Sequence, residues 1–296
     1  MKLILHSDDF GLHKEINRAI LAAAKQGMLT STSVLVNGLA AEEAMERVKS
    51  YPRLGVGIHL NIVRGRPLSD PAEIPSLVDR NGLFLNSTGK LLLRSFLGKL
   101  SHDEVYLEYR RQVLRMMEQG IRPTHFDGEK HTHLLLPEAV RAVKRLMDEF
   151  GIRKVRTINE SPVNRILISS GTGLKWSNRQ RLKLMFLEHR TKSACKLWGR
   201  FKTPDFSFGV AVSGAIQYPE SVGMAVSLLQ STLRGTLEWM FHLGYPTDLN
   251  SKEHKRDFGS FFLSNARADE LKLLLSRELA EMIEQNRSNL ISYREL

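Results

Sequence analysis

Each strand-like apolar run in this chain ends in polar, titratable residues, and most are followed by a helix-patterned segment. Residues 3–6 (LILH) run into SDDFG. HKEINRAILAAAKQG then sets Ile16, Ala19, Ile20 and Ala23 on one helical face, with Gly27 as the stop. STSVLVNG (31–38) reads as a second strand with a turn, and AAEEAMERVKSYP as a second helix. LGVGIHLNIV (54–63) is a third strand, with His59 and Asn61 near its end. The pattern continues with a long helix over SHDEVYLEYRRQVLRMMEQG, a strand-like PTHFDG, a helix over LPEAVRAVKRLMDEFG and a short strand over KVRTINE. TPDFSFG, a helix near YPESVGMAVSLLQ, a strand over TLEWMFHLGYP and one final helix over RADELKLLLSRELAEMIEQNR complete it. This alternation predicts an α/β chain with a mostly parallel sheet or barrel. In such folds ligands gather beyond the carboxyl ends of the strands.

The rhythm breaks at 161–202. SSGTGLKWSNRQ is rich in glycine and serine, and a basic, helical-looking stretch follows. From 165 to 202 ten Lys/Arg face one acid, Glu188, within a chain of net charge +11. The segment is expected to be an insertion or lid in a single domain spanning 1–296, not a second domain. Its interleaved Trp176, Leu182, Met185, Phe186, Leu197 and Trp198 also suit an anionic membrane surface. No obvious stacking platform for bases accompanies it, so nucleic acid is not an expected partner. A single cysteine, Cys195, rules out a disulfide within the chain and fits a reducing compartment. The opening MKLILHSDDFG carries too short an apolar run for a signal peptide. The expected location is the cytoplasm, with the inner membrane face as a peripheral site.

The chemistry is concentrated in a few places. Asp8 and Asp9 follow the first strand, where adjacent side chains point in different directions, so one can meet a metal while the other serves as a base. His59 sits in the third strand. THFDGEKHTH (124–133) holds His125, Asp127, Glu129, His131 and His133. These are the residue types that bind a divalent ion of the zinc type. His125 and Asp127 share a strand face by alternation, and Glu129 and His131 lie beyond it. His242 ends another predicted strand.

Taken in order, SDDFG, TSTSVLVNG, GVGIHLN, PTHFDGEKHTH, TPDFSFG and HLGYPTD resemble the YdjC-like carbohydrate deacetylases, which include chitooligosaccharide deacetylase and the hopanoid-associated deacetylase. The resemblance implies an irregular, TIM-barrel-like (β/α) barrel. It implies a hydrolase that removes an acetyl group from an N-acetylated sugar with a divalent metal, magnesium or zinc. Asp8 would be the catalytic base, Asp9 and His59 metal ligands, and His242 an acid or substrate contact. His125, Asp127, His131, Asn61 and Arg156 would bind substrate or support the ligands. One departure stands out: the family's third ligand is a histidine, and here Glu129 occupies that position. A carboxylate makes the site more anionic and harder, favouring magnesium or manganese; the alternatives are that His131 or His125 supplies the third ligand, or that the site has lost catalysis. With the basic segment, a lipid-linked sugar joins the candidate substrates. Rival readings are a non-catalytic sugar- or metabolite-binding protein on the same barrel and a metal-dependent phosphodiesterase. A homodimer is left open.

Overall fold

Lys2–Phe10 form β1, and every residue after Lys2 is buried. A strand buried on both faces belongs at the centre of a parallel sheet. The computed structural model, which describes residues 1–169, 177–211, 219–246, 264–284 and 289–296, places β1 there. Around it lie β2 (Ser31–Val34), β3 (Gly55–Leu60), β4 (Phe126–Gly128), β5 (Phe206–Phe208) and β6 (Thr236–Phe241). All pair in parallel, in the order β4-β3-β2-β1-β6-β5. The sheet curls into a half-barrel. Among the described residues six strands form, a barrel-like sheet consistent with the expected (β/α) architecture.

The predicted strand over 154–160 is where closure is irregular. Only Phe126↔Val155 and Lys154↔Lys202 pair there. Further along, the Ser207 N–H still donates to the carbonyl of Asn159 (3.1 Å), and side chains supply the other bonds. The Asn159 amide donates to the carbonyl of Asp205 (2.8 Å), and its backbone N–H donates to Ser207 Oγ (2.9 Å). The third strand also ends early, at Leu60, because Asn61 Oδ1 accepts the backbone N–H of Val63 (2.8 Å) and of Arg64 (3.2 Å). An Asx turn of this kind takes donors that a ladder would need.

Helices α1 (Lys14–Lys25), α2 (Ala41–Val48), α3 (Thr88–Phe96), α4 (His102–Glu118), α5 (Thr132–Leu135) and α6 (Pro137–Phe150) fill the first half. The 161–202 region supplies α7 (Ser161–Ser169) and α8 (Asn178–Trp198). Ser177 and Gln180 form a capping box that starts α8. Leu184, Leu187, Thr191, Ala194 and Trp198 make its buried stripe, and Trp198 Nε1 donates to the carbonyl of Val140 (2.9 Å). After α9 (Pro219–Thr232), the single final helix expected from the pattern is two: α10 (Ala266–Leu274) and α11 (Arg277–Glu284). The break is local, since Ser276 Oγ accepts the N–H of Leu279 (3.2 Å) and caps a new helix. No described helix is long and apolar enough to cross a membrane. Residues 170–176, including Trp176, and Thr247–Asp248 of HLGYPTD lie outside the described residues.

Candidate metal centre

The end of β1 is not a regular strand. Its register against β2 shifts between Ser7 and Phe10, and Asp9 takes φ 69°. A bulge re-aims side chains. Adjacent carboxylates were expected to diverge, but Asp8 and Asp9 both line one cavity of about 500 Å³ at the carboxyl end of the sheet. His59, at the end of β3, and Glu129, just after β4, line it too.

Asp9, His59 and Glu129 bring one ligand atom each to within 4.8 Å of the others. His59 Nε2 lies 3.9 Å from Asp9 Oδ1 and 3.4 Å from Glu129 Oε2. Its other nitrogen, Nδ1, donates to Asp127 Oδ1 (2.9 Å), since a carboxylate only accepts. The proton is therefore fixed on Nδ1 and Nε2 is turned to the cavity, the arrangement found around ligating histidines. The second oxygen of each carboxylate is held by an arginine: Arg267 donates to Asp9 Oδ2, and Arg64 to Glu129 Oε1. This donor set fits a divalent cation. Burial opposes charge on His59, yet Asp127 first and then Glu129 raise its pKa well above the ordinary histidine range; these same carboxylates favour a positive charge at Nε2, where a cation would take the place of a second proton. Burial would raise the Glu129 carboxyl, but Arg64 and then His59 pull it below the usual value.

Behind these groups lies a second, closed network. Arg156 is fully buried and forks between three acids. It reaches Asp8 (2.8 and 2.9 Å), Asp127 (3.1 Å) and Glu238 (2.8 and 3.0 Å). Tyr293 donates to the far oxygen of Glu238 (2.8 Å) and stacks on His125 at 3.6 Å. Burial alone would raise Asp8, but Arg156 and then His6 hold its carboxyl well below the usual range.

The structure thus sorts the predicted residues. Asp8, Asp9, His59, Glu129, His131 and His242 reach the cavity. His125, Asp127, Asn61 and Arg156 do not; they sit behind it and hold its lining. His125 packs where Gly57 leaves room, because a Cβ at residue 57 would run into its ring. His133 points away, with Nε2 donating to the carbonyl of Arg156 (3.1 Å). His242 Nε2 lies 3.9 Å from Asp8 Oδ2, and burial pushes its pKa down to about 4, so it is neutral at pH 7. Helix α8 forms one wall through Gln180, Lys183, Phe186 and Leu187.

Sequence reasoning missed Arg64, Arg267, His6, Glu238 and Tyr293. Glu238 carried a readable signal, being one acid inside the apolar run LEWMF, where a buried charge needs a partner. Arg64 lies five residues past His59, in the loop that a strand's carboxyl end offers to a ligand. Arg267 and Tyr293 had no local signature.

The family model described as YdjC-like protein matches residues 2–285. The chain belongs to the YdjC-like family. Among curated relatives, the carbohydrate deacetylase of Halalkalibacterium halodurans is 34% identical over 170 residues, 57% of this chain and 69% of that protein. The carbohydrate deacetylase of Geobacillus stearothermophilus is 38% identical over 156 residues, 52% of this chain and 60% of the relative. The chitooligosaccharide deacetylase of Serratia marcescens is 38% identical over 134 residues, 45% of this chain and 50% of the relative. These alignments therefore span half to about two thirds of the relatives' own length. A solved structure from Enterococcus faecalis V583, provisionally described as a cellobiose-phosphate cleavage protein, superposes with a TM-score of 0.72. At 23% identity, over 99% of this chain and 98% of that one, it is a likeness of fold. The YdjC-like chain thus shares the fold of that structure, and it carries a carboxylate at residue 129.

Proposed function

We propose that this YdjC-like chain is a metal-dependent hydrolase that removes an acetyl group from an N-acetylated sugar. The observation that carries the reading is the convergence of Asp9 Oδ1, His59 Nε2 and Glu129 Oε2 on one cavity. A divalent ion supplies Lewis acidity there when bound, polarising a carbonyl and acidifying water. Two carboxylates with one imidazole suit a hard ion such as magnesium better than zinc.

The chain's own groups do the rest. Asp8 is ionised and its carboxylate faces the cavity, so it can take the proton of an attacking water. Arg156 fixes that carboxylate from behind. Neutral His242, 3.9 Å from Asp8, can receive the proton and pass it to the departing amine nitrogen as the C–N bond breaks. Water adds to the carbonyl carbon, acetate leaves with one oxygen from it, and the sugar keeps an amine. The test is acetate release from a panel of N-acetylated sugars. Chelator is expected to abolish it, and Asp9→Ala to mimic chelator. Metal binding without acetate from any substrate would favour the rival binding role.

One observation favours an amphiphilic, lipid-linked substrate. The two helices bordering the cavity, α3 and α8, expose Leu93, Phe96 and the capping Leu97 at one and Leu182, Met185 and Phe186 on the other. Lys90, Lys99, Arg179, Arg181 and Lys183 lie exposed on and beside these helices. Apolar residues ringed by cations suit an anionic bilayer, with α8 as the lid over the site. The protein is expected to float with phosphatidylglycerol vesicles at low salt, and Phe96→Ser to weaken flotation. Equal flotation with neutral vesicles, or none, would remove this part of the reading.

A further inference from the structure

Glu129 and Arg64 are built as a pair. Arg64 reaches Glu129 Oε1, while Oε2 faces His59 Nε2. The backbone is clamped on both sides of that contact. Asn61 Nδ2 donates to the carbonyl of Arg64 (2.9 Å), Asn61 Oδ1 accepts the N–H of Arg64 (3.2 Å), and Gln112 grips Asn61 through its carbonyl (2.6 Å) and its N–H (3.0 Å). On the other side, Thr132 Oγ1 donates to the carbonyl of Glu129 (2.9 Å). Two buried residues 65 positions apart are thus each fixed from their main chain. A carboxylate so held can offer a cation one oxygen only, with its orientation set by the guanidinium.

We propose that Arg64 is a positioning residue for the metal centre, which turns Glu129 into a one-oxygen ligand and offsets the second negative charge that Glu129 adds beside Asp9. The inference rests on the metal-centre reading above. It makes residues 64 and 129 a unit: either one alone is worse than both or neither. With Glu129 present, losing Arg64 frees the carboxylate to swing from the site. With a neutral histidine at 129, the Arg64 guanidinium no longer offsets a ligand's charge and instead faces the cation with like charge, so losing it relieves the site.

The test is a double-mutant cycle read by calorimetric titration with manganese and zinc, with thermal melts to show that each variant is folded. Arg64→Met is expected to weaken metal binding about 10- to 100-fold, as loss of a ligand's supporting partner does. Arg64→Lys, which keeps the charge but loses the fork, should fall between it and the wild type. Glu129→His alone should also bind weakly. Adding Arg64→Met to Glu129→His should restore affinity by at least about tenfold. Equal losses in both backgrounds would show Arg64 to be merely structural and overturn the proposal. Unchanged binding in Arg64→Met, or no binding by the wild-type chain, would overturn it too. Absence of acetate release with a normal isotherm would count against the deacetylase reading alone.

Discussion

Alanine at His59 is expected to yield a folded chain that no longer holds a divalent ion and releases acetate about 100-fold more slowly than the wild type. The reason is the division of labour on one ring. Nε2 stands between Asp9 and Glu129, at 3.9 and 3.4 Å, so its removal leaves two carboxylates without the atom that joins them. The fold should survive, because Asp127, the buried partner of Nδ1, keeps Arg156 at 3.1 Å. Asp127→Asn is the graded control. It retains shape but no longer holds the Nδ1 proton with a charge, and should cost about 10- to 100-fold in metal affinity. Metal content and acetate assays on the purified variants check both. If His59→Ala bound metal like the wild type, the ion would have to use another buried set, and His6, His125 and Asp127 would be the next candidates.

The largest loss of stability is expected from Arg156→Met. The substitution fills much of the space but leaves Asp8, Asp127 and Glu238 buried without their shared cation. Removing one partner of a buried ion pair costs about 3–5 kcal/mol, because the remaining charge stays in the interior unpaired. Urea unfolding at pH 7 measures the difference. The sign of its pH dependence follows from the acids. In the wild type, Asp8 and Asp127 are held well below the usual carboxylate range despite burial, chiefly by Arg156. Their contribution is therefore complete above the ordinary carboxylate pKa and is lost as pH falls below it. In the variant the same acids can protonate, so its deficit should shrink as the pH drops. A deficit below about 1 kcal/mol at pH 7 would mean that the three acids find other partners and that Arg156 does not set the charge of Asp8.

Much of this molecule could be read from its chain. The apolar runs ending in SDDFG, GVGIHLN and THFDG gave strands whose carboxyl ends carry the chemistry, because a parallel sheet buries its strands and exposes only their ends. Asp9, His59 and Glu129 were legible as candidate ligands because each sits at or just past such an end. The strand over 154–160 and the single final helix were not legible in their true form. Asn159 and Ser276 redirect backbone hydrogen bonds with their own side chains, and a periodicity argument does not see that choice.

The residues that tune the site lay outside local pattern altogether. Arg156 joins Asp8 across 148 positions, Arg267 reaches Asp9 across 258, and Tyr293 stacks on His125 from the far end of the chain. Sequence alone determined the family, the strand-helix order and the residue types at the strand ends, since these follow from local periodicity and from motifs in fixed order. Tertiary structure alone decided which carboxylate oxygens face the cavity and which are held by arginine. That division depends on where distant guanidinium groups come to rest, and a buried charge settles only where the completed fold supplies its partner.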